Sequence, residues 1–225
     1  WIMNKYILIL CLVLGFLGCE QNDIDVYNQT PRLTFPYNLT YSFNDVDYVN
    51  KKTEGIGELE VRLMGNVLKE VRTFCLKMEK DSANISHTPS IQFEDKYEFV
   101  ADAVSTKVAL NIKRPEQIGV QYSAFCYFDE ENSAHEFDRG DAEYLQAKIS
   151  VIFNIRPDGW DEVYWGLYSN AKYRFMMDHW KITYDKMEKS ISAKADIRRA
   201  YAAYKRENGP LYDDEPEHNE IVFPE

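Results

Sequence analysis

The chain has 225 residues and a formal net charge of −11, because 37 acidic residues outnumber 26 lysines and arginines. Phosphate binding needs a basic surface, so this balance argues against a nucleic acid as a partner. It also disfavours a purely electrostatic attachment to an anionic lipid surface. The length allows either one large or two small domains.

The first element predicted along the chain is an export signal. Lys5 is followed by an apolar run over residues 6–17 and by a small residue just before Cys19. This order of a short basic region, an apolar stretch and a small residue is typical of a secretory signal. A membrane-spanning helix needs roughly 20 residues, so a retained membrane anchor is the weaker alternative. We therefore predict that residues 1–18 are a cleaved signal peptide.

Cys19 ends a segment that resembles the bacterial lipobox. The segment reads Phe16-Leu17-Gly18-Cys19, and Phe16 departs from the leucine that is usual at its position. The resemblance implies that the Cys19 thiol and the new amino terminus are both acylated. Two or more acyl chains hold a protein stably at a membrane, since each buried methylene contributes about 0.8 kcal/mol. We expect a lipid anchor at Cys19 and, because the following residues are polar and acidic, a tether over residues 19–30.

Period-two alternation of apolar and polar residues begins after the tether. In residues 57–63, for example, Leu59, Val61 and Leu63 alternate with charged residues. Comparable runs cover residues 33–37, 71–79, 96–100, 107–112, 120–128 and 147–155, with polar or turn-rich stretches between them. About seven short strands, each with one polar face, predict an immunoglobulin-like antiparallel β-sandwich over residues 31–156. A parallel sheet buried on both sides would show continuous apolar runs instead.

The apolar period changes to that of a helix in the last third of the chain. An apolar stripe with helical spacing is made of Tyr173, Met176, Met177 and Trp180. This stripe predicts a helix with Ser169 as its N-cap, and a second helix is predicted over residues 192–208. We therefore expect a mainly β chain that ends in a small helical region over residues 157–225.

Two cysteines remain after removal of the signal and lipidation of Cys19, namely Cys75 and Cys126. An oxidising envelope would permit a disulfide between them, and two buried free thiols are an equally open alternative. Their spacing does not predict a metal site. The four histidines also lack the spacing of a metal-binding motif such as H-E-x-x-H. We expect no metal and no other cofactor.

Catalytic motifs are missing from the sequence. It contains neither the nucleophile elbow G-x-S-x-G nor a glycine-rich phosphate loop. Carboxylates are abundant over residues 129–131 and 136–143, so a glycosidase-like acid pair remains an alternative, since such a pair is recognised by its separation in space. Solvated acidic loops explain these residues more simply. We therefore expect a protein that is not an enzyme.

Aromatic side chains give the strongest indication of a binding site. Tyrosine and tryptophan combine a broad apolar face with a polar edge, which suits sugar rings and extended peptides. Trp160, Trp165 and Tyr168 lie where the predicted sandwich meets the helical region, so we take them as candidate ligand-binding residues. Packing between the two parts is the alternative explanation for the three rings.

Asp81-Ser82-Ala83 resembles the three-residue O-glycosylation signal of envelope proteins in the Bacteroidota. The resemblance makes Ser82 a candidate acceptor for a glycan.

Several segments together resemble a protein family. They are Ile155-Arg156-Pro157-Asp158-Gly159-Trp160, the run of residues 165–176, Pro210-Leu211-Tyr212 and Ile221-Val222-Phe223-Pro224. The family is an uncharacterised lipoprotein family of the Bacteroidota, a domain of unknown function encoded beside starch-utilisation-type outer-membrane uptake loci. The resemblance covers most of the mature chain and transfers no catalytic residue. It implies an outer-membrane lipoprotein whose partners are an importer and a binding lipoprotein.

These observations together predict a lipid-anchored outer-membrane accessory protein of a nutrient uptake system. Its expected role is non-enzymatic binding or complex assembly, with a glycan or a peptide as ligand, and the face of the membrane is left open. The alternatives are a carboxylate-based hydrolase of the glycosidase type and a structural envelope or fimbrial component. Two carboxylates in one cleft would favour the hydrolase, and a pairable edge strand would favour the structural component.

Overall fold

The computed structural model describes residues 30–213 and 218–225. The predicted signal peptide, Cys19 and most of the predicted tether lie outside the described residues. The described strands are β1 (Arg32–Thr34), β2 (Leu39–Phe43), β3 (Glu54–Met64), β4 (Arg72–Phe74), β5 (Leu76–Lys80), β6 (Ile91–Gln92), β7 (Tyr97–Phe99), β8 (Ser105–Lys113), β9 (Gln121–Phe128) and β10 (Gln146–Phe153). The described α-helices are α1 (Asp45–Val49), α2 (Glu162–Trp165), α3 (Asn170–Trp180) and α4 (Ile191–Asn208). The predicted fold class, a mainly β immunoglobulin-like sandwich followed by helices, is confirmed.

Two sheets of four strands each form the sandwich. The first has the order β1-β3-β8-β6, and all its pairs are antiparallel. The second has the order β2-β10-β9-β5, in which β2 and β10 run parallel while the other pairs are antiparallel. Strands β4 and β7 form a separate two-stranded sheet. The parallel pair departs from the all-antiparallel prediction, because β2 was not among the predicted strands.

The facing sides of the two sheets form the core. Along β3, buried and exposed residues alternate as the sequence pattern predicts. The fully buried side chains of the sandwich include Leu59, Val61, Leu110, Ile112, Ile149 and Val151. Each such burial contributes roughly 1.5–3 kcal/mol, so these alternating residues supply much of the energy that holds the sheets together.

The prediction of one strand over residues 71–79 is wrong. The structure divides this run at Cys75, so that β4 pairs with β7 and β5 pairs with β9. Phe74, Cys75 and Leu76 are consecutive and are all buried. A single strand turns successive side chains to opposite faces, so three buried neighbours mark the place where the chain passes from one sheet to another.

Helix α1 forms in one of the polar stretches between the predicted strands. The Asn44 side chain accepts a hydrogen bond from the Asp47 backbone N–H, and the Asp47 carboxylate accepts one from the Asn44 N–H, both at 3.1 Å. This reciprocal capping box satisfies two backbone donors that a helix start otherwise leaves unpaired. A helix of five residues is too short to show an apolar period.

The two longer helices begin and end near the predicted residues. The Ser169 hydroxyl accepts a hydrogen bond from the Lys172 N–H at 3.2 Å and starts α3. Helix α4 ends at Gly209, whose φ of +83° favours glycine. The apolar stripe of α3 is buried at Tyr173, Met176 and Met177. No helix in the described part of the chain is both long and apolar enough to cross a membrane.

The helices and the first described residue lie at opposite ends of the sandwich. Strand β3 starts just after α1 and ends at Met64, which pairs with Arg32 of β1. At about 3.3 Å per residue, this strand is about 33 Å long. Helix α1 contacts α3, since the Tyr48 hydroxyl donates to Asp178 at 3.0 Å. We call the end with the helices the helical pole and the end with Arg32 the N-terminal pole.

Cys75 and Cys126 are buried free thiols. The Asp129 N–H donates to the Cys75 carbonyl at 2.8 Å, so Cys75 lies level with Asp129 and three residues away from Cys126 along β9. Three residues of strand are about 10 Å, whereas a disulfide needs Cα atoms within about 7 Å. Of the two alternatives, the structure therefore shows two free thiols and not a disulfide. Burial raises the pKa of both thiols.

Candidate functional site

The predicted ligand-binding aromatic residues form one cluster at the helical pole. The half-buried Trp160 donates a hydrogen bond from Nε1 to the Gly166 carbonyl at 2.9 Å. Its ring stacks on Tyr184 with centroids 5.3 Å apart and meets the edge of Tyr168 at 5.2 Å. The rings of Trp160 and Tyr168 therefore already pack against protein aromatic rings. Their role in ligand binding stays a prediction.

Trp165 belongs to the buried core. Its side chain is 1% exposed, and its ring packs against Tyr164 and Trp180 at centroid distances of 4.5 and 5.8 Å. The indole Nε1 is buried and makes no hydrogen bond to any described residue. The Trp165 ring consequently presents no surface to a ligand in this structure.

A groove between α3 and α4, closed on one side by α1, has a volume of about 560 Å³. We call it the helical groove. It is lined by Tyr48, Arg174, Phe175, Asp178, His179, Tyr204, Glu207 and Asn208, among others. Its volume lies in the range of about 300–1,000 Å³ that is usual for small-molecule sites.

Helical spacing brings these lining residues together. Arg174 and Asp178 are four residues apart on α3, and Tyr204 and Asn208 are four apart on α4, so each pair shares one helix face. The Phe175 ring meets the edge of the Tyr204 ring with centroids 5.5 Å apart. The groove thus combines aromatic surface with charged and amide groups. The same four-residue spacing is visible in the sequence. The sequence pattern of α3, however, is dominated by the apolar stripe that forms the core.

Hydrogen bonding fixes one wall of the helical groove. The Tyr48 hydroxyl donates to the Asp178 carboxylate at 3.0 Å. Burial, followed by this hydrogen bond and the negative charge of Asp178, raises the pKa of Tyr48 to about 12. The hydroxyl therefore stays protonated at neutral pH, and it joins α1 to α3.

His179 and Asp196 join the two long helices beside the groove. His179 Nε2 lies 2.7 Å from Asp196 Oδ2, which also accepts a hydrogen bond from Trp180 Nε1 at 3.0 Å. The hydrogen bond with His179, followed by that with Trp180, lowers the pKa of Asp196. The contact with Asp196 therefore orients the His179 ring at the side of the groove.

The chemistry that the helical groove offers is hydrogen bonding and stacking. Asp178 on α3 and Glu207 on α4 line the same groove, which brings together two carboxylates that are remote in sequence. Within residues 30–213 and 218–225, no group of three or more histidine, cysteine, aspartate or glutamate side chains is placed to hold a metal ion.

Ser82, the candidate glycan acceptor, is exposed in a tight turn. The Asn84 N–H donates to the Asp81 carbonyl at 2.9 Å, and the Ala83 N–H donates to Asp81 Oδ1 at 3.0 Å. The Asp81 carboxylate lies 2.9 Å from Lys148 Nζ, and this contact is the main reason that the pKa of Asp81 is lowered. Asp81 therefore holds the turn in place. Modification of Ser82 stays a prediction.

A comparison with protein families assigns the chain. The profile described as "Domain of unknown function (DUF4843)" matches residues 22–182. The chain belongs to the DUF4843 family. The match covers the sandwich, α2 and α3, while α4 of this DUF4843 protein lies beyond it. No curated protein sequence matches the chain.

Solved structures resemble part of this DUF4843 protein at low identity. The apo form of the Calx CBD1 domain is 10% identical with a TM-score of 0.38, and the match covers 56% of this chain and 98% of that one. A Bacteroides ovatus protein with the provisional name of carbohydrate-binding protein is 8% identical with a TM-score of 0.39, covering 56% and 38%. A two-domain Bacteroides fragilis protein of unknown function is 19% identical with a TM-score of 0.36, covering 62% and 50%. This chain thus spans half or less of the two Bacteroides proteins, and these likenesses carry no functional argument.

Proposed function

We propose that this DUF4843 protein is a lipid-anchored outer-membrane accessory of nutrient uptake that binds a glycan in the helical groove without cleaving it. The observation that carries the proposal is the composition of that groove. The aromatic rings of Phe175 and Tyr204 stand beside Arg174, Asp178 and Asn208. Aromatic faces stack on the apolar faces of sugar rings, while charged and amide groups bond to the hydroxyls.

The position of the helical groove supports this role. A chain anchored through Cys19 would enter the described fold at the N-terminal pole. The groove lies at the helical pole, about 33 Å away along β3. A ligand site at that distance would face away from the membrane surface and towards a soluble polymer.

The composition of the helical groove favours a glycan over a peptide. Recognition of a peptide by strand addition uses a row of main-chain hydrogen bonds along an exposed sheet edge. The helical groove, in contrast, lies between helices and presents side chains.

Titration calorimetry tests the proposal with the purified full chain and a panel of oligosaccharides and peptides. Tyr204→Ala should weaken glycan binding about 10- to 100-fold, because a central aromatic residue contributes about 2 kcal/mol or more and each tenfold change is 1.4 kcal/mol. Tyr37→Ala is the matched control, since Tyr37 is a 63% exposed tyrosine at the N-terminal pole. Unchanged binding by Tyr204→Ala, or binding of peptides alone, would overturn the proposal.

A glycosidase-type hydrolase is the second candidate, because Asp178 and Glu207 line the same groove. Asp178 already accepts a hydrogen bond from Tyr48, which favours a structural role for that carboxylate. Mass spectrometry of oligosaccharides incubated with the protein separates the two candidates. Intact ligand supports binding alone, whereas cleavage that disappears in Glu207→Gln would establish the hydrolase.

The proposed partners are an outer-membrane importer and its binding lipoprotein. Affinity purification of the full chain from detergent-solubilised outer membranes should recover one or both. Recovery of neither would restrict the proposal to a glycan-binding protein that acts alone.

A further inference from the structure

A second groove lies on the outward face of the first sheet, beside α1. Its volume is about 700 Å³, larger than that of the helical groove. We call it the strand groove. Its lining includes Tyr41, Lys52, Glu54, Ile56, Gln92 and Asn111.

The strand register places three of these side chains in one row across the sheet. Ile56 of β3 pairs with Asn111 of β8, and Asn111 pairs with Gln92 of β6. The Asn111 Nδ2 lies 3.4 Å from both Gln92 Oε1 and Glu54 Oε2. Mutual hydrogen bonds therefore hold the amide and carboxylate groups in fixed positions before any ligand arrives, which lowers the entropic cost of binding.

An apolar floor and an aromatic wall complete the strand groove. Ile56 is 68% exposed although its neighbours on the same face, Glu54 and Glu58, are charged. A Cβ atom at Gly55 would lie 2.0 Å from the Tyr41 Oη, so the glycine leaves the space that the Tyr41 ring occupies. The groove thus offers an apolar surface with hydrogen-bonding groups at its margins.

We propose that the strand groove is a second glycan site, which takes uncharged sugar units. Amide groups both donate and accept hydrogen bonds, so Asn111 and Gln92 can bond to hydroxyl groups in either direction. Glu54 and Glu94 are two carboxylates in the lining, and the ammonium group of Lys52 already forms an ion pair with Asp47 at 3.3 Å, so the lining has a net negative charge. This charge repels sulfated or uronic acid sugars. The apolar face of a neutral ring fits over Ile56.

The two grooves adjoin each other across α1. Tyr48 lines the helical groove and Lys52 lines the strand groove. The two residues are four positions apart in the chain, so their Cα atoms are at most about 14 Å apart. In this inference one extended glycan passes over α1 and contacts both sites, and the second contact adds affinity by raising the effective concentration. This part of the inference rests on the proposed function of the helical groove.

Calorimetric titration of the full chain with neutral oligosaccharides of increasing length tests the inference. The double variant Asn111→Ala with Gln92→Ala should lose at least tenfold in affinity for the long oligosaccharides and nothing for the shortest. Ile56→Ala is a second variant on the same outward face and should show the same selective loss. Glu58→Gln is the matched control, because its side chain is 60% exposed and lies outside the groove.

The outcomes separate the two proposals. Both strand-groove variants could bind oligosaccharides of every length with wild-type affinity. That result would overturn the strand groove as a glycan site and would not affect the proposal for the helical groove. If the strand-groove variants lose affinity for long oligosaccharides while Tyr204→Ala binds glycans like the wild type, the strand groove is supported as a glycan site. The same result would overturn the helical groove as a glycan site. Equal binding of uronic acid and neutral oligosaccharides at the strand groove would contradict its selectivity. Failure of every glycan to bind would overturn both.

Discussion

Tyr173→Phe tests how the helices are joined to the sandwich. The Tyr173 side chain is fully buried, and its hydroxyl donates to Asp45 Oδ2 at 2.7 Å. The same hydroxyl accepts a hydrogen bond from the Tyr184 N–H at 2.8 Å. Asp45 belongs to α1 and Tyr184 follows α3, so one oxygen atom connects three segments. The substitution removes this oxygen and keeps the ring.

The expected loss of stability follows from the two hydrogen bonds. A hydrogen bond to a charged group contributes about 1.5–3 kcal/mol, and an N–H left without a partner costs about 1–3 kcal/mol. Asp45 is partly exposed, so water can replace its lost hydrogen bond. The cost of losing that hydrogen bond therefore lies at the low end of its range. We expect the free energy of unfolding to fall by about 3 kcal/mol. For a chain of this size, the melting temperature should then fall by roughly 6–12 °C.

Urea unfolding of the full chain, followed by tryptophan fluorescence, measures this loss. Tyr122→Phe is the control, because the Tyr122 ring packs against His87 and its hydroxyl makes no hydrogen bond to the described residues. The free energy of unfolding of this control should lie within about 0.5 kcal/mol of the wild-type value. Tyr173→Phe could show an equally small loss in the free energy of unfolding, with an unchanged dependence on urea concentration. That result would refute the proposed role of the Tyr173 hydroxyl in joining the three segments.

Three further predictions concern the strand groove, the anchor and alkaline pH. Gly55→Ala should lower stability by about 1–3 kcal/mol, because the added methyl group displaces the Tyr41 ring; a wild-type melting temperature would contradict this. Cys19→Ala should move the protein from the membrane to the soluble fraction, and continued membrane association would disprove the lipid anchor. The pKa of Tyr48 is raised from 10.0 to about 12, first by burial and then by Asp178. The folded state therefore holds this proton more tightly, and the resulting stability is present below pH 10 and lost as the pH rises towards 12. Tyr48→Phe should show a smaller alkaline loss in pH-dependent urea unfolding, and an equal loss would contradict the assignment.

Sequence periodicity predicts the sandwich well where one face of a strand is buried. Strand β3 is the clearest case, since Leu59 and Val61 are buried and Glu58 is exposed. Periodicity fails where the chain changes sheets, as at Cys75, because the pattern does not record which strand is the partner. Strand β2 is missed for a related reason: its five residues include one buried side chain, that of Phe43.

Functional residues are harder to predict because a site depends on which faces meet. Trp165 has the chemical type of a ligand platform, yet the fold places it in the core. The helical groove, in contrast, joins residues of α1, α3 and α4 that are remote along the chain. Tyr48 lies in a polar stretch between predicted strands, and its hydrogen bond to Asp178 spans 130 residues. Only the tertiary structure brings these groups to one surface.

Hydrogen–deuterium exchange tests the central claim most directly, because it locates a bound glycan on the full chain. We predict that a glycan from the panel slows amide exchange in α3 (Asn170–Trp180) and α4 (Ile191–Asn208). Strand β5 (Leu76–Lys80), none of whose residues lines either groove, should exchange at an unchanged rate. Protection confined to the loop around Trp160, with α3 and α4 unchanged, would contradict the proposal that the helical groove is the binding site.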